Sequence, residues 1–112
     1  MNRESNIRVM RIYREYFDMI KNGSKTIEIR VAYKSMQNIT AGTILRFNDD
    51  PDCERRVKRV TRYNTFAEVM KKEDTRKINP TKSAEQQLMD IQRIFPSDKE
   101  QLGVLVFELE NA

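Results

Sequence analysis

The spacing of apolar residues along the chain switches between a period near 3.6 and a period of two, which predicts a mixture of helices and strands. One helical face is formed by Tyr13, Tyr16, Phe17 and Ile20. The pair Asn22-Gly23 ends that helix, because glycine readily adopts the left-handed conformation found just after helices. Over Lys25–Val31 apolar and polar residues alternate, which predicts a half-buried strand.

The rest of the chain gives a similar alternation of elements. Two capping boxes, Thr65-x-x-Glu68 and Ser83-x-x-Gln86, each precede an apolar helical stripe, and a polar loop is expected over residues 73–82. Val57 and Val60 are three residues apart, so they share a face of one strand only if it contains a β-bulge. Further strands are predicted over residues 7–12, 43–47, 54–63 and 104–109. The pattern predicts one α+β domain over residues 1–112, with about five strands and three helices.

Composition excludes much catalytic chemistry. The 112 residues contain no histidine and a single cysteine, Cys53, so histidine triads, histidine-ligated zinc, cysteine-cluster zinc sites and intrachain disulfides are excluded. The acidic turn Asp49-Asp50-Pro51-Asp52 lacks the glycine and the distant glutamate of a calcium loop. No apolar run approaches the roughly 20 residues of a membrane span, and no secretory signal is recognised. We therefore expect a cytoplasmic protein without metal, cofactor or membrane association.

The most informative segment runs from Gly23 to Arg30. Lys25 lies where a helix ends and a strand begins, and Thr26, Glu28 and Arg30 then project from one strand face. A carboxylate accepts from an exocyclic amine, while Lys and Arg donate to carbonyl or phosphate oxygens, so this group suits a polar, planar ligand. The alternative is an ordinary solvent-facing strand with a surface Glu–Arg pair.

A second candidate is the basic strand that ends at Tyr63, whose cations are Arg55, Arg56, Lys58, Arg59 and Arg62. The net charge of +4 is compatible with a partner that carries a few phosphates. Clustered cations beside an aromatic ring suit a nucleic-acid backbone and a stacked base. The alternative is an edge strand that charge protects from aggregation.

The order of these motifs resembles the ASCH domain, a branch of the PUA-like superfamily. The segment Gly23-x-Lys25-x-x-Glu28-x-Arg30 after an aromatic-rich helix is similar to the hallmark of that family. The resemblance continues through residues 41–47, 63–70 and 100–104, with Thr43 in place of the family's usual Asp. It implies a β-barrel-like mixed sheet of about five or six strands flanked by helices, and a cleft lined by this strand.

The resemblance implies an RNA- or nucleotide-binding module, with the oligomeric state left open. The ligand-binding candidates are Lys25, Thr26, Glu28, Arg30 and Tyr63, and the phosphate-binding candidates are Arg55, Arg59 and Arg62.

The alternative is a small amidohydrolase, because one bacterial subgroup deacetylates 4-acetylcytidine with a lysine, a threonine and a glutamate. Lys25 matches that lysine, position 28 holds Glu instead of Thr, and Glu73 is the nearest candidate for the glutamate. The substitution at position 28 removes the hydroxyl nucleophile, and Glu28 would instead have to activate water with the help of Lys25. A close Lys25–Glu28 pair also suits recognition better than a neutral-lysine base, because the carboxylate favours the protonated amine. The residues therefore favour binding.

Overall fold

A computed structural model describes residues 7–112, in which a five-stranded sheet carries helices on both faces. The strands are β1 (Ile7–Met10), β2 (Ile27–Val31), β3 (Ile44–Phe47), β4 (Glu54–Tyr63) and β5 (Val104–Asn111). The helices are α1 (Arg14–Asn22), α2 (Phe66–Lys72), α3 (Thr75–Ile78), α4 (Ala84–Ile94) and α5 (Ser97–Glu100), and Lys34–Met36 form a 3₁₀ turn. The predicted α+β class is confirmed.

The sheet is mixed and open. Its strand order is β1-β3-β4-β5-β2, with β1 and β3 parallel and every other neighbouring pair antiparallel. Strands β1 and β2 are therefore the two edges, and the sheet is not closed into a barrel. The predicted bulge in β4 is confirmed by a shift of register between Val57 and Arg59 against β5.

Central strand β5 supplies both layers of the core, as its nearly continuous apolar sequence predicted. Leu105 and Phe107 lie on the face covered by α1, with its Phe17 and Ile20. Val104 and Val106 lie on the other face, where α2, α3 and α4 pack. Because successive side chains of a strand point to opposite faces, β5 separates two apolar clusters.

The helix boundaries show where local signals are sufficient. Thr65 and Ser83 cap α2 and α4 through their side-chain oxygens, as predicted. The loop predicted over residues 73–82 is wrong in part, because α3 forms there with Asp74 as its cap. Helix α5 was not predicted either. Each of these two helices has only four residues, too few to show a helical period.

None of the helices within residues 7–112 is long and apolar enough to cross a membrane.

Candidate functional site

A cavity of about 500 Å³ lies along the outer edge of β2, between α1 on one side of the sheet and α4 on the other. Such a volume falls within the roughly 300–1,000 Å³ that is typical of small-ligand sites. The walls combine aromatic, aliphatic and charged side chains: Arg11, Ile12, Tyr13, Tyr16, Lys25, Glu28, Ile29, Arg30, Met70, Ile78, Asn79, Gln87, Asp90, Ile91, Ile94 and Phe95.

Local backbone geometry brings Lys25 into this cavity. Gly23 ends α1 in the left-handed conformation, with φ of 89°, so that the chain turns back and the Lys25 N–H donates to the carbonyl of Met19. The next N–H, that of Thr26, donates to the carbonyl of Lys77 and holds the start of β2 against α3. The side chain of Lys25 is consequently enclosed, with only 4% of its surface exposed.

The Lys25 ammonium has all three of its N–H groups engaged. Nζ donates to the carbonyl of Ile27 at 2.6 Å and to that of Ile78 at 3.0 Å, and it lies 3.3 Å from Glu28 Oε1. The same nitrogen lies 5.7 Å from the ring centroid of Tyr16. The two carbonyls and the carboxylate around Nζ each favour the protonated form of this amine, whereas its burial favours the neutral form.

Glu28 joins the two cations of the cavity. Its Oε1 faces Lys25, and its Oε2 accepts from Arg30 Nε at 2.9 Å and lies 2.8 Å from Arg30 Nη2. Arg30 Nη2 also donates to the carbonyl of Arg11, which fixes the segment between β1 and α1. Only 9% of the Glu28 side chain is exposed, so the alternative of a solvent-facing strand is wrong. Two cations and one carboxylate leave this cluster with one net positive charge.

Burial and charge act in opposite directions on both members of the pair. Burial lowers the pKa of Lys25, and the adjacent Glu28 carboxylate opposes that shift. Burial would raise the pKa of Glu28, but the charges of Lys25 and Arg30 outweigh it, so this pKa is lowered. Glu28 is therefore ionised at neutral pH. Burial also raises the pKa of Tyr16, whose phenol stays protonated.

The sequence from Met10 nearly to the end of the chain matches a protein-family model. That model is described as the ASCH domain, and it covers residues 10–111. The chain belongs to the ASCH domain family.

Solved structures agree with this assignment. A hypothetical protein solved by crystallography shares 28% identity, with a TM-score of 0.86 and coverage of 95% of this chain and 99% of that one. A protein from Pyrococcus furiosus solved by NMR shares 29% identity, with a TM-score of 0.76 and coverage of 93% and 96%. The crystal structure of ASCH from Zymomonas mobilis has the same fold at 14% identity, with a TM-score of 0.65 and coverage of 98% and 69%. No curated protein matches the chain.

In this ASCH domain the predicted ligand-binding residues do not all meet. Lys25, Glu28 and Arg30 line one cavity. Thr26 instead lines a second cavity of about 400 Å³, which it shares with Lys25 and Arg55. Tyr63 lines neither cavity, and its hydroxyl donates to Glu73.

The three predicted phosphate-binding arginines are each anchored to other groups. Arg55 donates to the carbonyl of Ile20 near the end of α1, and Arg62 donates to the carbonyl of Leu102. Arg59 is bound by two carboxylates, those of Glu73 and Glu108, which raise the pKa of its guanidinium. Of the three, Arg59 has the least charge left to offer a phosphate, and Arg62 is the one whose residue is exposed.

Several residues of the cavity could not be recognised as site residues from the sequence. In the sequence, Tyr13 and Tyr16 belong to the predicted apolar stripe of α1, and Phe95 belongs to that of α4. The exposed fraction of Tyr13, 62%, shows that it is not a core residue. The one sequence signal that could have suggested an open site is the position of Tyr13, which belongs to the predicted apolar stripe but stands at the very start of the helix. The described residues contain no group of three or more Cys, Asp or Glu side chains placed to hold a metal ion.

Proposed function

We propose that this ASCH domain is an RNA- or nucleotide-binding module that holds one nucleotide in the cavity along β2. The observation that carries the proposal is the joining of Lys25, Glu28 and Arg30 in one concavity with aromatic walls. Apolar walls with a few placed polar groups are typical of sites that enclose most of a small ligand.

The aromatic side chains suit a base. Tyr13 and Tyr16 form one wall, with their ring centroids 6.3 Å apart, and Phe95 lies on another wall of the cavity. Stacking on an aromatic side chain contributes about 1–3 kcal/mol per base. Tyr13 is exposed enough to receive a base that has been rotated out of a single strand.

The charge of the cavity suits a phosphate beside that base. The Lys25–Glu28–Arg30 cluster has one net positive charge. Arg11 adds a third cation to the lining, and Asp90, the second carboxylate of the lining, is paired with Lys82. Arg30 retains an Nη1 group for which no described residue provides a hydrogen bond. Arg62, whose residue is exposed on β4, is the better of the outer arginines for a more distant phosphate of an RNA strand.

The deacylase alternative has less support. Three acceptors surround the Lys25 nitrogen and favour its protonated form, whereas a general base needs a free lone pair directed at the substrate. Glu73 does not line the cavity and is bound by Arg59 and Tyr63. Incubation with 4-acetylcytidine, followed by chromatography, is expected to show no deacetylation above that of a Lys25→Ala control.

The direct test is a titration of fluorescent single-stranded RNA at several salt concentrations, read by anisotropy. Tyr13→Ala should weaken binding by about 5- to 150-fold, the equivalent of one lost stacking contact. Tyr13→Phe keeps the ring and should bind like the unchanged protein. Because Tyr13 is exposed, neither variant should affect folding.

Removing Arg62 tests the outer phosphate contact. Arg62→Gln should reduce the slope of log affinity against log salt by about 0.7, the value of one contact to a single strand. The matched control is Arg76→Gln, since Arg76 is an exposed arginine on α3 whose side chain is paired with Asp74. Undetectable binding at low salt, or equal affinities for Tyr13→Ala and Tyr13→Phe, would contradict the proposed function.

A further inference from the structure

Strand β2 is a sheet edge, and the antiparallel pairing fixes which of its backbone groups point outward. Thr26 accepts from the N–H of Leu109, and the N–H of Ala32 donates to Gly103, so the even-numbered residues of β2 bond to β5. The N–H and C=O groups of Ile27, Ile29 and Val31 therefore point away from the sheet.

The outward carbonyls of Ile27 and Val31, on either side of Ile29 in β2, already accept hydrogen bonds. The carbonyl of Ile27 accepts from Lys25 Nζ at 2.6 Å, and the carbonyl of Val31 accepts from the N–H of Tyr33 at 2.8 Å. Ile29 lies between them and lines the cavity. No group among residues 7–112 forms a hydrogen bond with its outward N–H or C=O.

This arrangement leaves one donor and one acceptor side by side on the wall of a largely apolar cavity. Enclosed backbone groups without a partner are costly, so nearly all buried ones are paired in native proteins. Water or a ligand must therefore satisfy the Ile29 pair. A ligand satisfies both groups only if it presents an acceptor next to a donor, in one plane.

We propose that the Ile29 N–H and C=O read the pairing edge of a nucleobase, through two hydrogen bonds to a heterocycle that carries a donor next to an acceptor. The inference rests on the proposed nucleotide-binding function and specifies how the base is held. The stacking surface of Tyr13 or Tyr16 and the Glu28–Arg30 pair complete the same pocket.

An extended peptide adding to the edge of β2 fits less well. Strand addition gains affinity from a row of main-chain hydrogen bonds along an open edge. Here Lys25 and the Tyr33 N–H occupy the outward carbonyls on either side of Ile29, so among the described residues of β2 only Ile29 offers a free N–H together with a free C=O. A compact, planar ligand needs only the N–H and C=O of Ile29, so the occupied carbonyls on either side do not weaken its binding.

The first test compares nucleotides with counterparts methylated on the pairing edge. The pairs are uridine and 3-methyluridine, guanosine and 1-methylguanosine, cytidine and N4,N4-dimethylcytidine, and adenosine and N6,N6-dimethyladenosine, each as the 5′-monophosphate. Binding is followed in ¹⁵N-labelled protein by NMR. The nucleotide that binds best should shift the Ile29 amide, and methylation of its edge should weaken it at least tenfold.

The second test removes the Ile29 donor without changing a side chain. Replacing Ile29 by its α-hydroxy acid converts the amide to an ester, which has no N–H. Val31 provides the matched control, because its N–H also points outward but Val31 does not line the cavity. The ester at position 29 should weaken nucleotide binding at least fivefold, and the ester at position 31 should not.

The outcomes separate this inference from the proposed function. If neither the nucleotides nor RNA bind, the proposed function fails, and this inference fails with it. If nucleotides bind and shift cavity residues, but methylated forms bind equally well and the two esters behave alike, only the inference about Ile29 is overturned. Tighter binding of a short extended peptide such as acetyl-tetravaline amide, with a shift of the Ile29 amide, would also overturn it.

Discussion

The buried carboxylate of Glu28 should stabilise the fold strongly, and Glu28→Gln isolates its charge. In the folded protein this carboxylate faces Lys25 at 3.3 Å and Arg30 at 2.8 Å. Glutamine keeps one carbonyl oxygen, but its amide nitrogen must then face either the ammonium or the guanidinium. The substitution therefore leaves two cations in one enclosed cluster with no charge to balance them.

The expected loss can be scaled from the contacts. Removing one partner of a buried ion pair costs about 3–5 kcal/mol, because the remaining charge stays buried without compensation. Arg30 is the more exposed partner, with 20% of its side chain accessible, so water relieves part of its cost. We expect about 3 kcal/mol, which corresponds to a fall of about 12 °C in Tm at roughly 4 °C per kcal/mol.

The same chemical change at an exposed pair is the matched control. Glu110 lies 3.5 Å from Arg56, and both side chains are more than 40% exposed. Glu110→Gln should cost less than about 1 kcal/mol, as is usual for surface ion pairs. Urea unfolding of both variants, followed by circular dichroism at pH 7, measures the difference. Equal losses for Glu28→Gln and Glu110→Gln would refute the structural role assigned to the buried charge.

The pH dependence of the free energy of unfolding provides a second test of the role of Glu28. The folded protein has a lower pKa for Glu28 than the ordinary value of 4.5, so on acidification the unfolded chain takes up this proton first. The contribution of Glu28 is therefore complete above pH 4.5 and is lost as the pH falls through the lowered folded-state value. The stability gap between the unchanged protein and Glu28→Gln should be full at pH 7 and narrow below pH 4.5. A gap that stays constant to the acid limit of folding would contradict the shift.

Three further substitutions or measurements test other features of the fold. Gly103→Ala and Gly42→Ala should destabilise by similar amounts in urea unfolding, because both glycines have positive φ and the Cβ added at position 103 meets only the far end of the flexible Arg62 side chain. A much larger loss at position 103 would contradict the mobility of that side chain. Thr65→Ala should cost about 1 kcal/mol by the same measurement, since it removes the side-chain cap of α2, and a loss near zero would contradict the cap. Cys53 is buried, and burial raises the pKa of its thiol, so a disulfide reagent should label it only as urea unfolds the chain. Labelling of the native protein at the rate of a free thiol would contradict the burial of Cys53.

The sequence predicted the strands and the three longer helices, α1, α2 and α4, well because each has a strong local signal. The bulge in β4 is an example, since the three-residue spacing of Val57 and Val60 cannot be reconciled with an uninterrupted strand. Helix α3 was missed because four residues form little more than one turn. The sequence also could not predict that the sheet stays open, because pairing of the edge strands depends on contacts between residues far apart in the chain.

For the site, alternation predicted the shared face of Glu28 and Arg30, and the helix end placed Lys25 beside them. It did not predict their burial, because the cavity needs α4 to fold over the edge of β2 from the other side of the sheet. Strand alternation alone also grouped Thr26 with them, whereas in the structure Thr26 lines a second cavity. Tertiary packing, rather than spacing, decides which polar residues of a strand reach a common pocket.

The hydrogen bonds of Lys25 indicate a structural role, whereas its place in the motif suggests a catalytic one. Its ammonium ties the carbonyl of Ile27 on β2 to the carbonyl of Ile78 at the end of α3, where a helix favours a positive charge. Glu28 balances that charge, and Arg30 extends the connection to the carbonyl of Arg11 ahead of α1. The three residues thus fix α3, β2 and the start of α1 around one opening. Since their hydrogen bonds are largely used within the protein, we expect selection of the proposed ligand to depend on the groups they leave open, namely the aromatic walls and the backbone pair of Ile29.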